Sequence, residues 1–370
     1  MKNTVIAIFC FFSLPALLFA QIMDKWAATV NLIEPSIVTV KQFTATADQL
    51  KQQYASMRLE IPSNEEILEQ MLVELLLKQH IKKTEGLDVT ESDLFNALRS
   101  QPGSGLGNMS DEKIKAAVQK ETGISWDVYV QQGIAQLEQI KIQEWVKQKK
   151  SKYFADLNNP SNQPSEADVQ LFYKKNKTAF FWSDMVRATQ LYIDTRQMST
   201  TERQAKLQEI EKYYRDIQNG ISTFDETVIK FTDLHDPRYK TEDGLIAFDH
   251  PTLSNLLGDD YLNKVFSLRI GVVSDVIASN IGYHIVRVSK KIERKFLNID
   301  DPIEPDGAAT VRQYIERILV IKDLQDKYKK ATQELMKELK LDEKAEIVIY
   351  KNNLDISESR LKLFRDKIKR

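Results

Sequence analysis

The run Gly282-Tyr283-His284-Ile285-Val286-Arg287-Val288 constrains this chain more than any other stretch. It reads as a β-strand, with side chains sent alternately to two faces. Residues 186–194 alternate in the same manner far upstream. Between them lie helical patterns, one over 201–219 boxed by Thr201 and Gln204 and a shorter one over 224–231. Gly271 turns the chain before a short strand at 272–277. Two outer strands with helices between them predict an α+β block in which helices flank an antiparallel sheet.

The rest of the chain reads mainly as helix. Two short strands, 24–30 and 37–40, surround a Glu34-Pro35-Ser36 turn. Ser63 and Glu66 open a helix whose apolar residues (Ile67, Leu68, Met71, Leu72, Leu75, Leu76, Ile81) keep helical spacing until Gly86. Thr90 with Asp93 opens a second helix, and a loop over 103–107 carries three glycines. Two further helices are expected near 110–120 and along Trp126, Val130, Ile134, Leu137, Ile140 and Trp145. Residues 149–164 read as a linker, and Ser165 caps a helix through Asp168. Past the Pro302 and Pro305 break, Val311, Ile315, Ile318, Leu319, Leu324 and Tyr328 mark a charged helix running to Leu341. A closing strand follows at 346–350. A charged helix with one apolar stripe must bury that stripe, so it is expected to return to the N-terminal core.

Composition removes several classes of function. Residues 1–20 carry one charge (Lys2), an apolar stretch broken by Pro15, and Ala20 at a cleavable position, which is the pattern of a secretory signal. The one cysteine, Cys10, lies inside that stretch, so the mature chain has no disulfide, thiolate metal site or cysteine nucleophile. Basic and acidic residues, 52 and 53, are interleaved, and no basic excess points to nucleic acid. There is no phosphate loop, nucleophile elbow or His-x-x-x-His pair. His235-Asp236 and Asp249-His250 lie beside Pro237 and Pro251 and read as polar loop residues. No cofactor, metal or small-molecule substrate is expected.

Three segments of the α+β block carry a family resemblance: Val186-Arg187-Ala188-Thr189-Gln190-Leu191-Tyr192-Ile193, Gly244-Leu245-Ile246-Ala247-Phe248, and the Gly282-Tyr283-His284 strand. Together with Val265-Phe266-Ser267-Leu268-Arg269-Ile270-Gly271, they make 186–291 similar to a parvulin-type peptidyl-prolyl isomerase domain. Residues 24–148 resemble the N-terminal domain of the SurA/PrsA/PpiD group of periplasmic folding factors, through 23–31, 69–83 and 86–94. The resemblance implies a fold of α+β class: a mainly helical, discontinuous chaperone domain with a parvulin-like α+β domain inserted in it. The expected divisions are a signal peptide (1–20), a helical domain with linker helix (21–182), the parvulin-like domain (183–294), a C-terminal helix and strand completing the core (295–350), and a loosely held tail (351–370).

The resemblance also implies a site. His284 is retained, Gln190 stands where a second histidine is usual, and Ser279 matches a hydroxyl beside the pair. Leu234 replaces the cysteine or aspartate that polarises the amide, with Asp233 adjacent. Leu245, Phe248, Leu253 and Tyr261 are the expected substrate-binding residues. Tyr261 holds the cup's phenylalanine position if residues around 256–260 are an insertion, and Leu257 is the other candidate. Rotation about a prolyl amide needs no bond making, only an apolar seat and relief of the roughly 18–20 kcal/mol resonance barrier. Gln190 and Leu234 leave the groove less polar than in active members. The expected function is therefore an exported periplasmic holdase for unfolded or nascent exported clients, outer-membrane proteins among them, with little or no isomerase activity. The alternative is an active isomerase assisting the folding of exported proteins.

Overall fold

The structure, a computed structural model, describes residues 24–155 and 163–369; the expected signal over 1–20 lies outside them. The chain divides into two units, one of Met1–Pro164 with Ile318–Arg370 and one of Ser165–Arg317.

The first unit opens with β1 (Trp26–Asn31) and β2 (Pro35–Thr39), paired antiparallel. Helix α1 (Val40–Ser56) follows, closed by a Thr39–Gln42 capping box. The sequence pattern does not predict this helix, because it buries only Phe43, Thr46 and Ala47 and so shows no apolar stripe. Helix α2 (Asn64–Glu85) begins on the expected Ser63–Glu66 box and stops at Gly86, whose left-handed backbone (φ 68°) favours glycine. Next come α3 (Glu91–Ser100), α4 (Asp111–Thr122) and α5 (Trp126–Lys149), close to the expected helices.

The second unit starts at α6 (Glu166–Asn176), whose Val169 is buried and whose Tyr173 hydroxyl donates to the Leu297 carbonyl. This helix, expected to group with the N-terminal domain, belongs to the second unit. The two-residue strand β3 (Phe181–Trp182) precedes β4 (Met185–Asp194), α7 (Thr200–Gln218) and α8 (Phe224–Asp233). The box of α7 is Ser199–Glu202 rather than Thr201–Gln204, two residues earlier. Strand β5 (Tyr239–Ala247), α9 (Pro251–Leu257), α10 (Asp259–Ser267), β6 (Ile277–Ala278), β7 (Gly282–Ile292) and β8 (Lys295–Phe296) complete it. The strand expected over 272–277 is confined to β6, with a single bridge from Val273 to Arg287 ahead of it.

Strands β3 and β8 pair by themselves, and the larger sheet of this unit has the order β5-β4-β7-β6 and is antiparallel throughout. Its two faces bury different cores. Val186, Ala188, Tyr192, Val286 and Val288 pack on α9 and α10 through Leu257, Tyr261, Leu262 and Val265. Leu191, Ile193 and Ile285 pack on α7 and α8 through Ile210, Phe224 and Phe231. The alternation read from the sequence is this division of faces.

Helix α11 (Val311–Leu339) leads back to the first unit, followed by α12 (Leu341–Lys344), β9 (Glu346–Tyr350) and β10 (Ile368–Lys369). Strand β9 pairs with β1 in a sheet of order β10-β9-β1-β2. Ala331, Leu335, Met336, Ile347 and Ile349 share one core with Leu68, Leu72 and Leu76 of α2. Residues beyond 350 are not a loose tail. Ile356, Leu361 and Phe364 are buried in that core, and the carboxylates of Glu65 and Glu69 accept the backbone N–H groups of Ser357, Lys362 and Leu363. Short 3₁₀ turns space these apolar residues irregularly, so no period betrays them.

Candidate functional site

Antiparallel pairing of β4 with β7 sets Tyr192 opposite His284 and Gln190 opposite Val286, so Gln190 and His284 are diagonal neighbours on one face. The pairing depends on Gly282. A Cβ there would lie 1.9 Å from the Ile193 carbonyl oxygen, so no other residue lets the strands approach this closely.

His284 is fully buried, with Tyr192 stacked on its ring at 4.8 Å and Tyr261 tilted against it at 4.7 Å. Its Nδ1 lies 3.0 Å from Gln190 Oε1 and its Nε2 lies 2.6 Å from Ser279 Oγ. A carboxamide oxygen can only accept, so Nδ1 carries the proton and Nε2 accepts from the Ser279 hydroxyl. Burial, the main cause, pulls this imidazole down to about 3, against an opposing pull from Asp194. The ring is therefore neutral at any ordinary pH.

The glutamine joins two further groups. Tyr261 donates its hydroxyl to Gln190 Oε1 at 2.6 Å, and Gln190 Nε2 donates to Glu242 at 2.9 Å. Glu242 also accepts the Tyr192 hydroxyl at 3.0 Å. The carboxylate fixes which way the amide points, because turning it over would set two acceptors against each other. Burial pushes the hydroxyls of both tyrosines up, so both remain protonated donors. Ser279 Oγ further accepts the N–H groups of Ile281 and Gly282, which ties it to the β6–β7 turn. All of the site's buried hydrogen-bonding groups are thus committed to one another.

The expected cup is only partly assembled. Phe248 is exposed and meets Phe266 edge to face at 5.0 Å, while Leu253 and Phe266 pack against the Tyr261 core. Leu245 does not join them. The register sets it opposite Arg187, on the sheet face away from Gln190 and His284, and Ile246 takes the inward position. Tyr261 has no exposed surface, so it is part of the floor and not of the wall; Leu257 is likewise buried. Leu234 caps the C-terminus of α8 and is 45% exposed. Two members of the floor, Tyr192 and Glu242, were not expected from the sequence. Tyr192 could have been read from alternation, two residues past Gln190, but Glu242 needed the β4–β5 register.

Among the described residues, no cluster of His, Cys, Asp and Glu is arranged to hold a metal ion. The floor offers no group poised to exchange a proton near neutrality, and its one histidine does not reach the surface. Such an arrangement can shape and stiffen an apolar groove.

Residues 191–290 match the family Rotamase, the PPIC-type PPIASE domain. The second unit contains a parvulin-type domain. No curated protein sequence matches the chain. Among solved structures, a SurA-like chaperone of Campylobacter jejuni is similar at 14% identity, covering 88% of this chain and 99% of that one, with a TM-score of 0.29. PrsA from Bacillus subtilis is similar at 16% identity over 82% and 89% of the two chains, with a TM-score of 0.23. The foldase protein PrsA from Streptococcus pneumoniae gives 16% identity over 81% and 91%, with a TM-score of 0.25.

Proposed function

We propose that this protein is an exported folding factor that holds unfolded client chains, and that its parvulin-type domain binds peptide with little or no turnover. The observation that carries the reading is the Gln190–His284 pair. The histidine is buried, neutral and fully hydrogen-bonded, so it contributes shape and stability rather than polarity. The exposed Leu234 adds no polar group where active relatives carry one. Export through residues 1–20 places the protein in a periplasm, and outer-membrane proteins in transit are the clients that such a compartment supplies in unfolded form. The helical unit, built from both ends of the chain, is the holding domain, with the parvulin-type domain inserted between α5 and α11.

The second reading, an active isomerase, draws on Glu242. Its carboxylate sits one hydrogen bond from Gln190 and stays exposed, so charge has not left the groove entirely. Aggregation of a chemically unfolded outer-membrane protein, followed by light scattering with and without the full chain, tests the holding role. Suppression near stoichiometric amounts is expected. Scattering unchanged at tenfold excess would remove the proposal.

A further inference from the structure

The first unit contains a cleft of about 240 Å³ between α2, α11 and the loop after α1, far more than the roughly 15 Å³ that one water needs. Its apolar walls include Leu59, Ile61 and Val73. Gln325 of α11 lines the cleft, is nine-tenths buried, and has no protein partner for either Oε1 or Nε2. The hydroxyl of Tyr328, one turn along, lines the same cleft and also lacks a protein partner. An unpaired buried polar atom ordinarily costs about 1–3 kcal/mol, so three in one hollow are unusual in a folded core.

Most charges around the cleft are matched, and Glu60 of the lining is exposed to solvent. Lys329 pairs with Glu66 at 3.0 Å and Lys322 with Asp326 at 2.5 Å, while Glu69 accepts two backbone N–H groups. Glu74, at the inner end, is buried and accepts from Gln70 at 3.2 Å; burial pushes its carboxyl up to about 7. The buried unmet chemistry is therefore neutral. A carboxamide with both N–H and C=O free is complementary to one group above all, another amide, through two antiparallel hydrogen bonds.

We infer that this cleft is a client-binding subsite, in which the Gln325 amide pairs with one peptide group of an extended, uncharged segment while Leu59, Ile61 and Val73 hold its flanking side chain. The inference rests on the holding role proposed above and gives it a location. Peptide selection here reads backbone and apolarity, which suits a holder of many different chains. Tyr328 offers an additional donor at the edge of the same pair.

The test uses the full chain and a capped tripeptide, N-acetyl-leucyl-glycyl-leucine amide, titrated against the side-chain amide NMR signal that Gln325→Met removes. The tripeptide should shift that signal. Its analogue with one peptide N–H replaced by an ester oxygen should bind about tenfold more weakly, the equivalent of one lost hydrogen bond. Gln325→Met should weaken tripeptide binding by about tenfold or more, leave the melting temperature unchanged or raised, and reduce suppression of client aggregation. A signal that does not move, equal binding of amide and ester, or a Gln325→Met variant that binds normally or melts lower would overturn the assignment. If Gln325→Met fails to fold, that too counts against it, since a group bonded within the core would behave so. Failure of the wild-type chain to suppress aggregation would instead refute the holding role itself, whereas intact suppression with an inert cleft would refute the subsite alone.

Discussion

Gln190 puts a carboxamide into the floor and links three neighbours through it. Its oxygen serves Tyr261 and His284 while its nitrogen reaches Glu242. The imidazole it holds has a titration with a definite sign. Unfolded, His284 takes a proton near pH 6.5; folded, it resists until about 3. Between those values the unfolded state binds more protons, so stability falls as pH falls through this window, by about 1.4 kcal/mol per pH unit at full effect. Denaturant melts at pH 7 and pH 4.5 should therefore differ by about 2–3 kcal/mol more for the wild type than for His284→Asn, which cannot titrate. Equal differences would show that His284 is not held neutral. The pair itself was legible in the sequence only through the family resemblance, which singles out His284 two residues past Gly282 and matches Gln190 to the partner position. Leu245 and Tyr261 were misplaced for one reason each: a one-residue register decides which of Leu245 and Ile246 faces inward, and α10 buries the Tyr261 ring completely, in the floor and not the groove wall.

Among the elements, three of the legible helices announce themselves by caps. Ser63–Glu66 and Thr90–Asp93 close as capping boxes, and Ser165 accepts from Asp168. Helix α1 has an equally good box at Thr39–Gln42 but too little apolar pattern behind it. The segment after β9 was misread for the opposite reason: it has buried apolar residues but no period. Phe364 is fully buried there, among residues of the first unit's core. Phe364→Ala should cost that unit about 3–5 kcal/mol, the usual range for emptying a buried phenylalanine site. In a calorimetric scan resolving the two units, the first transition should move down while that of the parvulin-type domain stays in place. A shift below 1 kcal/mol would mean that the C-terminal segment packs only loosely. Glu65 belongs to the same latch. Burial pushes its carboxyl up, but the Ser357 amide and neighbouring donors outweigh that and hold it below the usual range.

For the whole molecule, a sheet shared by residues from both ends of the chain makes the first unit discontinuous, since β9 lies beside β1. That closure follows from the apolar stripe of α11, which had to find a core. The arrangement ties the first unit's integrity to a chain that passes through the parvulin-type domain on its way. The proposed function divides between a cleft-bearing helical unit and a domain whose floor is mutually bonded around a neutral His284. The most direct test is exchange NMR on a short proline peptide, comparing cis–trans interconversion with and without the full chain. The account predicts an interconversion rate no faster than the uncatalysed one, tens of seconds or slower near 25 °C, at protein concentrations that still suppress client aggregation. Exchange accelerated to the level of an active parvulin, and lost in Gln190→Leu, would contradict it.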